Sequence, residues 1–149
     1  MDQKTIFTEA LDTHLENYRL DKTSANFCFE EKEGFDLDFD TTFAEWAKGA
    51  GVDYVIIDVG AATQKDIDAI VAHWDRPTAY LFKDFGNEAA GNLREKCRCF
   101  IKDRHLGGIW TSADPEPQVI FCAATLTKDQ PIRDFYDRIS FPFVLHYKF

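Results

Sequence analysis

Residues 52–60, Val-Asp-Tyr-Val-Ile-Ile-Asp-Val-Gly, hold an unbroken run of aromatic and β-branched side chains closed by a glycine. A strand without polar alternation is one covered on both faces, and such strands belong to α/β sheets. A helix signal follows at once. Thr63 suits an N-cap, and Ile67, Ile70, Val71 and Trp74 recur at helical spacing over about Gln64–Trp74. Strand, glycine turn and amphipathic helix form the first half of a βαβ unit, so this stretch is expected to be the central scaffold strand.

Asp58 stands near the carboxyl end of that strand, where open α/β sheets place ligands. A lone aspartate there is more simply a turn or capping residue, which makes Asp58 a fallback site. The glycine spacing fits neither G-x-G-x-x-G nor G-x-x-x-x-G-K-[ST], so both phosphate-binding fingerprints are missing.

The chain has 149 residues, about one domain, and no repeat or linker divides it. Residues 3–19 read as an amphipathic helix on Phe7, Leu11, Leu15 and Tyr18, with His14 on the flank of the seam. Pro77–Phe82 and Gln118–Leu126 read as strands, and a long helix is expected over about Asn87–Arg104. Ile109–Thr111 could add a short strand, Ser112–Pro117 a loop, and Pro131 opens a further helix near its N1 position. Phe141–Phe149 alternates apolar with other residues and is expected to end the chain as an edge strand, Pro142 near its start.

Asn26–Asp40 carries the sharpest polar pattern. Phe27 and Phe29 alternate with Cys28, Glu30–Gly34 supplies a polar turn, and Phe35, Leu37 and Phe39 then alternate with Asp36, Asp38 and Asp40. Period two on both sides of a glycine turn predicts a β-hairpin with a carboxylate ladder on one face. Phe43, Trp46, Ala47 and Ala50 follow as a short helix capped by Asp40 or Thr41.

Charge is unevenly placed. The net charge is −9, and residues 1–60 hold 14 Asp and Glu against 5 Lys and Arg, so the whole excess lies there. Such a surface argues against direct nucleic-acid binding, because phosphate contacts need basic side chains. It suits a basic partner, with charge attraction speeding encounter. The predicted long helix has the opposite character, with Arg94, Lys96, Arg98, Lys102 and Arg104 on one face. Cations toward a helix C-terminus suit the macrodipole, and docking against an acidic surface is the functional alternative.

Cys28, Cys97, Cys99 and Cys122 include no C-x-x-C pair, and Cys97 and Cys99 would diverge on a helix, so inert thiols are expected rather than a metal site. His73, His105 and His146 have no accompanying nucleophile signature. No apolar run approaches the roughly 18–20 residues of a membrane span. Met1-Asp2-Gln3-Lys4 lacks the start of a secretory signal, which favours the cytoplasm.

These features predict a single α/β domain over residues 1–149, with a mixed β-sheet of about five to seven strands, helices on both faces and an acidic β-hairpin near the N-terminus. The function expected is binding rather than catalysis. It would be an acidic inhibitory module of the bacterial immunity-protein or antitoxin kind, covering a basic protein such as a nuclease toxin. Glu30, Glu31, Glu33, Asp36, Asp38 and Asp40 would form the partner-binding surface. No catalytic residue, metal ligand or cofactor is assigned on this view. The alternative is a divalent-metal-dependent phosphoryl-transfer or hydrolytic enzyme using Asp36, Asp38 and Asp40 as hard oxygen ligands.

Overall fold

Helix α1 (Gln3–Asp21) starts at Asp2, whose carboxylate accepts the Thr5 amide at 2.7 Å. It stops at Lys22, whose left-handed backbone (φ 62°) lets its N–H reach the Tyr18 carbonyl. Phe7, Ala10, Leu11, His14 and Leu15 form its buried stripe, so His14 belongs to the seam and not its flank. The computed structural model describes residues 2–30, 37–84, 91–104, 106, 116–126 and 145–148.

Five strands form one sheet among these residues: β1 (Ala25–Glu30), β2 (Asp53–Asp58), β3 (Thr78–Lys83), β4 (Val119–Leu126) and β5 (Leu145–Lys148). Their order is β2-β3-β4-β1-β5, and every pairing is parallel. The mixed sheet expected above is therefore corrected to a parallel one. Parallel neighbours need crossover connections, and helices α2 (Phe39–Ala50), α3 (Gln64–Ala72) and α4 (Gly91–Asp103) lie between successive strands. From β1 the chain crosses to the far edge at β2, then steps back through β3 to β4. Right-handed crossovers running in opposite directions put their helices on opposite faces. Accordingly α1 and α2 cover Phe27, Phe29, Leu81 and Phe121 on one face. Helices α3 and α4 cover Ile57, Tyr80, Phe82 and Cys122 on the other.

The run at residues 52–60 forms β2, but β2 is an edge strand. The central position belongs to β4, whose eight residues are all buried. The run without alternation signals cover on two faces, and β2 has that cover at the edge. Tyr54 meets Phe43 of α2 edge-on (centroids 6.1 Å), while Val55 and Ile57 pack in the cluster that holds Ile67 and Ile70 of α3.

The acidic hairpin does not form. Strand β1 is flanked by β4 on one side and β5 on the other, which leaves no place beside it for an antiparallel return strand. Asp38 instead caps α2, and Asp40 lies in its first turn. The alternation in 35–40 straddles a junction, with Phe39, Thr42, Phe43 and Ala47 buried at helical spacing beyond it. Glu31, Glu33 and Asp36 lie outside the described residues, as do the expected strand at 109–111, most of the expected loop at 112–117 and the expected helix after Pro131. The final strand is β5, on the sheet edge as its alternation implied, with Pro142 outside the described residues.

Candidate functional site

Three adjacent parallel strands end side by side, and each carries a polar side chain at or next to its last residue. Asp58 closes β2 and is the register partner of Lys83, the last residue of β3. Thr125 stands near the end of β4, one step beyond the pairing of Phe82 with Ala124. The N-terminus of α2 faces these ends. Together they bound a crevice of about 580 Å³ lined by Leu37, Asp38, Phe39, Asp40, Thr41, Asp58, Lys83, Asp84 and Thr125. That volume is in the range of small-molecule sites, and the carboxyl edge of a parallel sheet is where such sites occur.

Local hydrogen bonds fix most of the lining. The Asp38 carboxylate accepts the Thr41 amide at 3.2 Å and the Thr41 hydroxyl at 2.9 Å. Those two bonds favour its charged form and hold its pKa below the usual carboxylate value. Asp58 accepts the Gly60 amide at 3.1 Å, starting the 3-10 turn Val59–Ala61. It is thus both the turn aspartate and a crevice residue. Asp84 turns out of β3 with φ 53°, a left-handed conformation that aspartate tolerates better than most side chains. Its amide donates to the buried Thr125 hydroxyl at 3.1 Å, tying the ends of β3 and β4.

Lys83 is the cation of this lining, and Asp40 holds it: Nζ lies 2.6 Å from Oδ1. A half-exposed pair of this kind contributes about 0.2–1 kcal/mol. Its larger effect is on the charge presented. The amide end of a helix carries partial positive charge and is a natural anion site. In α2 that end is already met by the carboxylates of Asp38 and Asp40. Four carboxylates and one engaged lysine therefore face the crevice.

Of the residues predicted to bind a partner, Asp38 and Asp40 reach this crevice, whereas Glu30 is buried at the end of β1. Lys83, Asp84 and Thr125 were missed. Each is a polar residue directly behind or within the end of an apolar run, and only the parallel register brings them together. No cluster of three or more His, Cys, Asp or Glu side chains placed to hold a metal occurs among the described residues. The ladder of Asp36, Asp38 and Asp40 is absent as a ligand set because Asp38 caps a helix and Asp40 lies within it.

The basic face of α4 is also less uniform than its sequence. Arg98 pairs with Glu95, and Arg104 turns inward, donating to Ser24, Asn26, Ile101 and the Cys122 sulfur. Arg104 thus joins the end of α4 to the start of β1 and to the middle of β4, and is not a docking residue. Burial pushes the Cys28 and Cys97 thiols up to about 12 and Cys122 up to about 11. No helix among the described residues is long and apolar enough to cross a membrane.

No family model matches the chain, and no curated protein does. Solved structures do match. The RuvB Holliday junction branch migration motor of Thermotoga maritima superposes with a TM-score of 0.56 at 16% identity, covering 100% of this chain and 45% of that one. A point mutant of the same RuvB gives 0.59 at 16% identity, covering 100% and 46%. The chain thus spans a little under half the length of these structures, and at this identity the likeness establishes the fold. It overturns the immunity-protein, inhibitor and antitoxin expectation; the described parts of the expected acidic hairpin are strand β1 and the start of helix α2.

Proposed function

We propose that this chain is a RuvB-like P-loop-type domain that does not hydrolyse nucleotide. One observation carries the reading. At the β1–α2 junction, where a P-loop places its G-x-x-x-x-G-K-[ST] segment, the sequence runs Glu-Glu-Lys-Glu-Gly-Phe-Asp-Leu-Asp-Phe-Asp from Glu30 to Asp40. The helix that should receive phosphate begins instead with two carboxylates. A triphosphate would meet Asp38, Asp40, Asp58 and Asp84, with Lys83 already neutralised by Asp40. The acidic excess in residues 1–60 likewise disfavours nucleic-acid phosphates. A cytoplasmic location belongs to the same proposal.

A second reading has a specific observation behind it. Asp84 at the end of β3, bonded through its amide to Thr125, stands where P-loop enzymes keep a metal-binding aspartate. Mg²⁺ carried in with a nucleotide would then offset the crevice charge. Calorimetry with Mg-ATP, run beside a phosphate-release assay, separates the two. The expected result is no saturable heat into the millimolar range and no phosphate above background. Turnover would overturn the non-hydrolysing reading, and saturable binding without turnover that disappears in Asp84→Ala would replace it with the second.

A further inference from the structure

His14 sits 4% exposed under the edge of the sheet and is not itself part of the crevice lining. Its ring stacks on Phe27 of β1, with centroids 4.0 Å apart and planes inclined by 18°. Its Nε2 lies 2.9 Å from the hydroxyl of Tyr147 in β5. Its Nδ1 is buried without a hydrogen-bond partner. Among the described residues, strand β5 pairs in parallel with β1 over four residues, and its Tyr147 ring packs against Phe27 and Phe29.

We propose that His14 is a proton-operated latch for β5: neutral, it anchors the strand through Tyr147, and protonated, it releases the strand and bares the β1 edge. Whichever tautomer the neutral ring adopts, the imidazolium carries N–H on both nitrogens, and at Nδ1 that makes a buried charged donor with no acceptor until the seam opens to water. Little on the neighbouring elements would compensate. On β1 the residues beside it are Phe27 and Phe29, and the nearest charge, Glu30, alternates to the other face. On β5 the titratable group facing it is the Tyr147 phenol. On β4 and α2 the same cluster presents Phe121, Ala123, Phe39 and Phe43. On α1 itself, Tyr18 follows one turn later with the Lys22 ammonium over its ring, Asp12 is engaged by the Trp46 indole, and Arg19 by the Ala50 carbonyl.

Burial alone lowers the His14 pKa from 6.5, so the folded state binds the proton less well than the unfolded chain. The anchoring is then complete above pH 6.5 and is lost as pH falls below it. The Phe27 face attracts an imidazolium by cation–π contact, which opposes this shift. The sign of the shift is therefore the measurement on which the latch turns.

Amide hydrogen exchange at Leu145–Lys148 tests it, expressed as protection factors so that intrinsic exchange rates cancel, with Ile120–Ala124 of β4 as the reference. Between pH 6.5 and 5, protection in β5 should fall by up to about tenfold per pH unit while β4 holds. In His14→Gln the β5 values should not change with pH. An equal fall in the variant, a flat profile in the parent, or parallel loss in β4 would overturn the latch. NMR titration of the His14 ring in the natural chain needs no variant, and a pKa at or above 6.5 would also overturn it.

Discussion

Arg104 makes a demanding test of how the two ends of this chain are joined. Its guanidinium donates to the Ile101 carbonyl at 2.7 Å, Asn26 Oδ1 at 2.8 Å, Ser24 Oγ at 2.9 Å and Cys122 Sγ at 3.1 Å. Replacing it with alanine leaves Asn26 Oδ1 without this donor, while Ile101 keeps a bond from Asn26 Nδ2 at 2.7 Å. Hydrogen bonds to a charged group contribute about 1.5–3 kcal/mol each, and an orphaned buried acceptor costs about 1–3 kcal/mol. These bonds share one side chain and do not add, so Arg104→Ala should cost about 3–5 kcal/mol. For a chain of this size that is on the order of 10 °C in Tm. Lysine has one nitrogen where arginine has a fork and cannot reach Ser24, Asn26 and Ile101 together, so Arg104→Lys should lose about 2–3 kcal/mol.

A backbone control is available at the same position. Arg104 has φ 59°, a conformation that costs a non-glycine residue about 1–2 kcal/mol and glycine little. Arg104→Gly should therefore be about 1 kcal/mol more stable than Arg104→Ala, although both lose the guanidinium. Urea denaturation of the three variants reads all of these differences. A lysine variant within about 0.5 kcal/mol of the parent, or a glycine variant less stable than the alanine one, would refute the reasoning.

Two further expectations concern the interior. Phe121, fully buried on the central strand, lies 5.1 Å from the Phe27 ring and 5.6 Å from Trp46, so Phe121→Ala should cost about 3–5 kcal/mol by thermal or urea unfolding. A loss under about 1 kcal/mol would show that this face is not packed as described. In thiol labelling at pH 8, Cys99 should react well ahead of Cys28, Cys97 and Cys122, because only Cys99 is not buried and burial raises the other three. Equal rates for all four in the folded protein would contradict that.

Periodicity read the elements well where one face decides the pattern. The segments of α1, β3 and β4 were all visible as apolar spacing. It could not read strand order, because an edge strand capped by α2 and α3 looks the same as a central one. It also misread the alternation ending at Asp40, where Asp38 caps and Phe39 and Asp40 open helix α2 instead of continuing a strand. The crevice was legible only at Asp58, Asp38 and Asp40. Lys83 and Thr125 carry no motif, and their meaning comes from the register that sets Asp58 beside Lys83 and Phe82 beside Ala124. A single sequence does not display such pairings.

The strand order also sets a timetable. Ala25 of β1 pairs with Phe121, and Phe27 with Leu145, so β1 gains no described neighbour until β4 has been synthesised. At roughly 5–20 residues per second the wait is on the order of ten seconds, during which Phe27 and Phe29 have no sheet to enter. Pairings so distant in sequence also make for slow folding and exposure to aggregation. Residues 1–60 carry the entire net charge of −9, on the very segment that must stay unpaired longest. Mutual repulsion among nascent copies is thus greatest where β1 is most vulnerable.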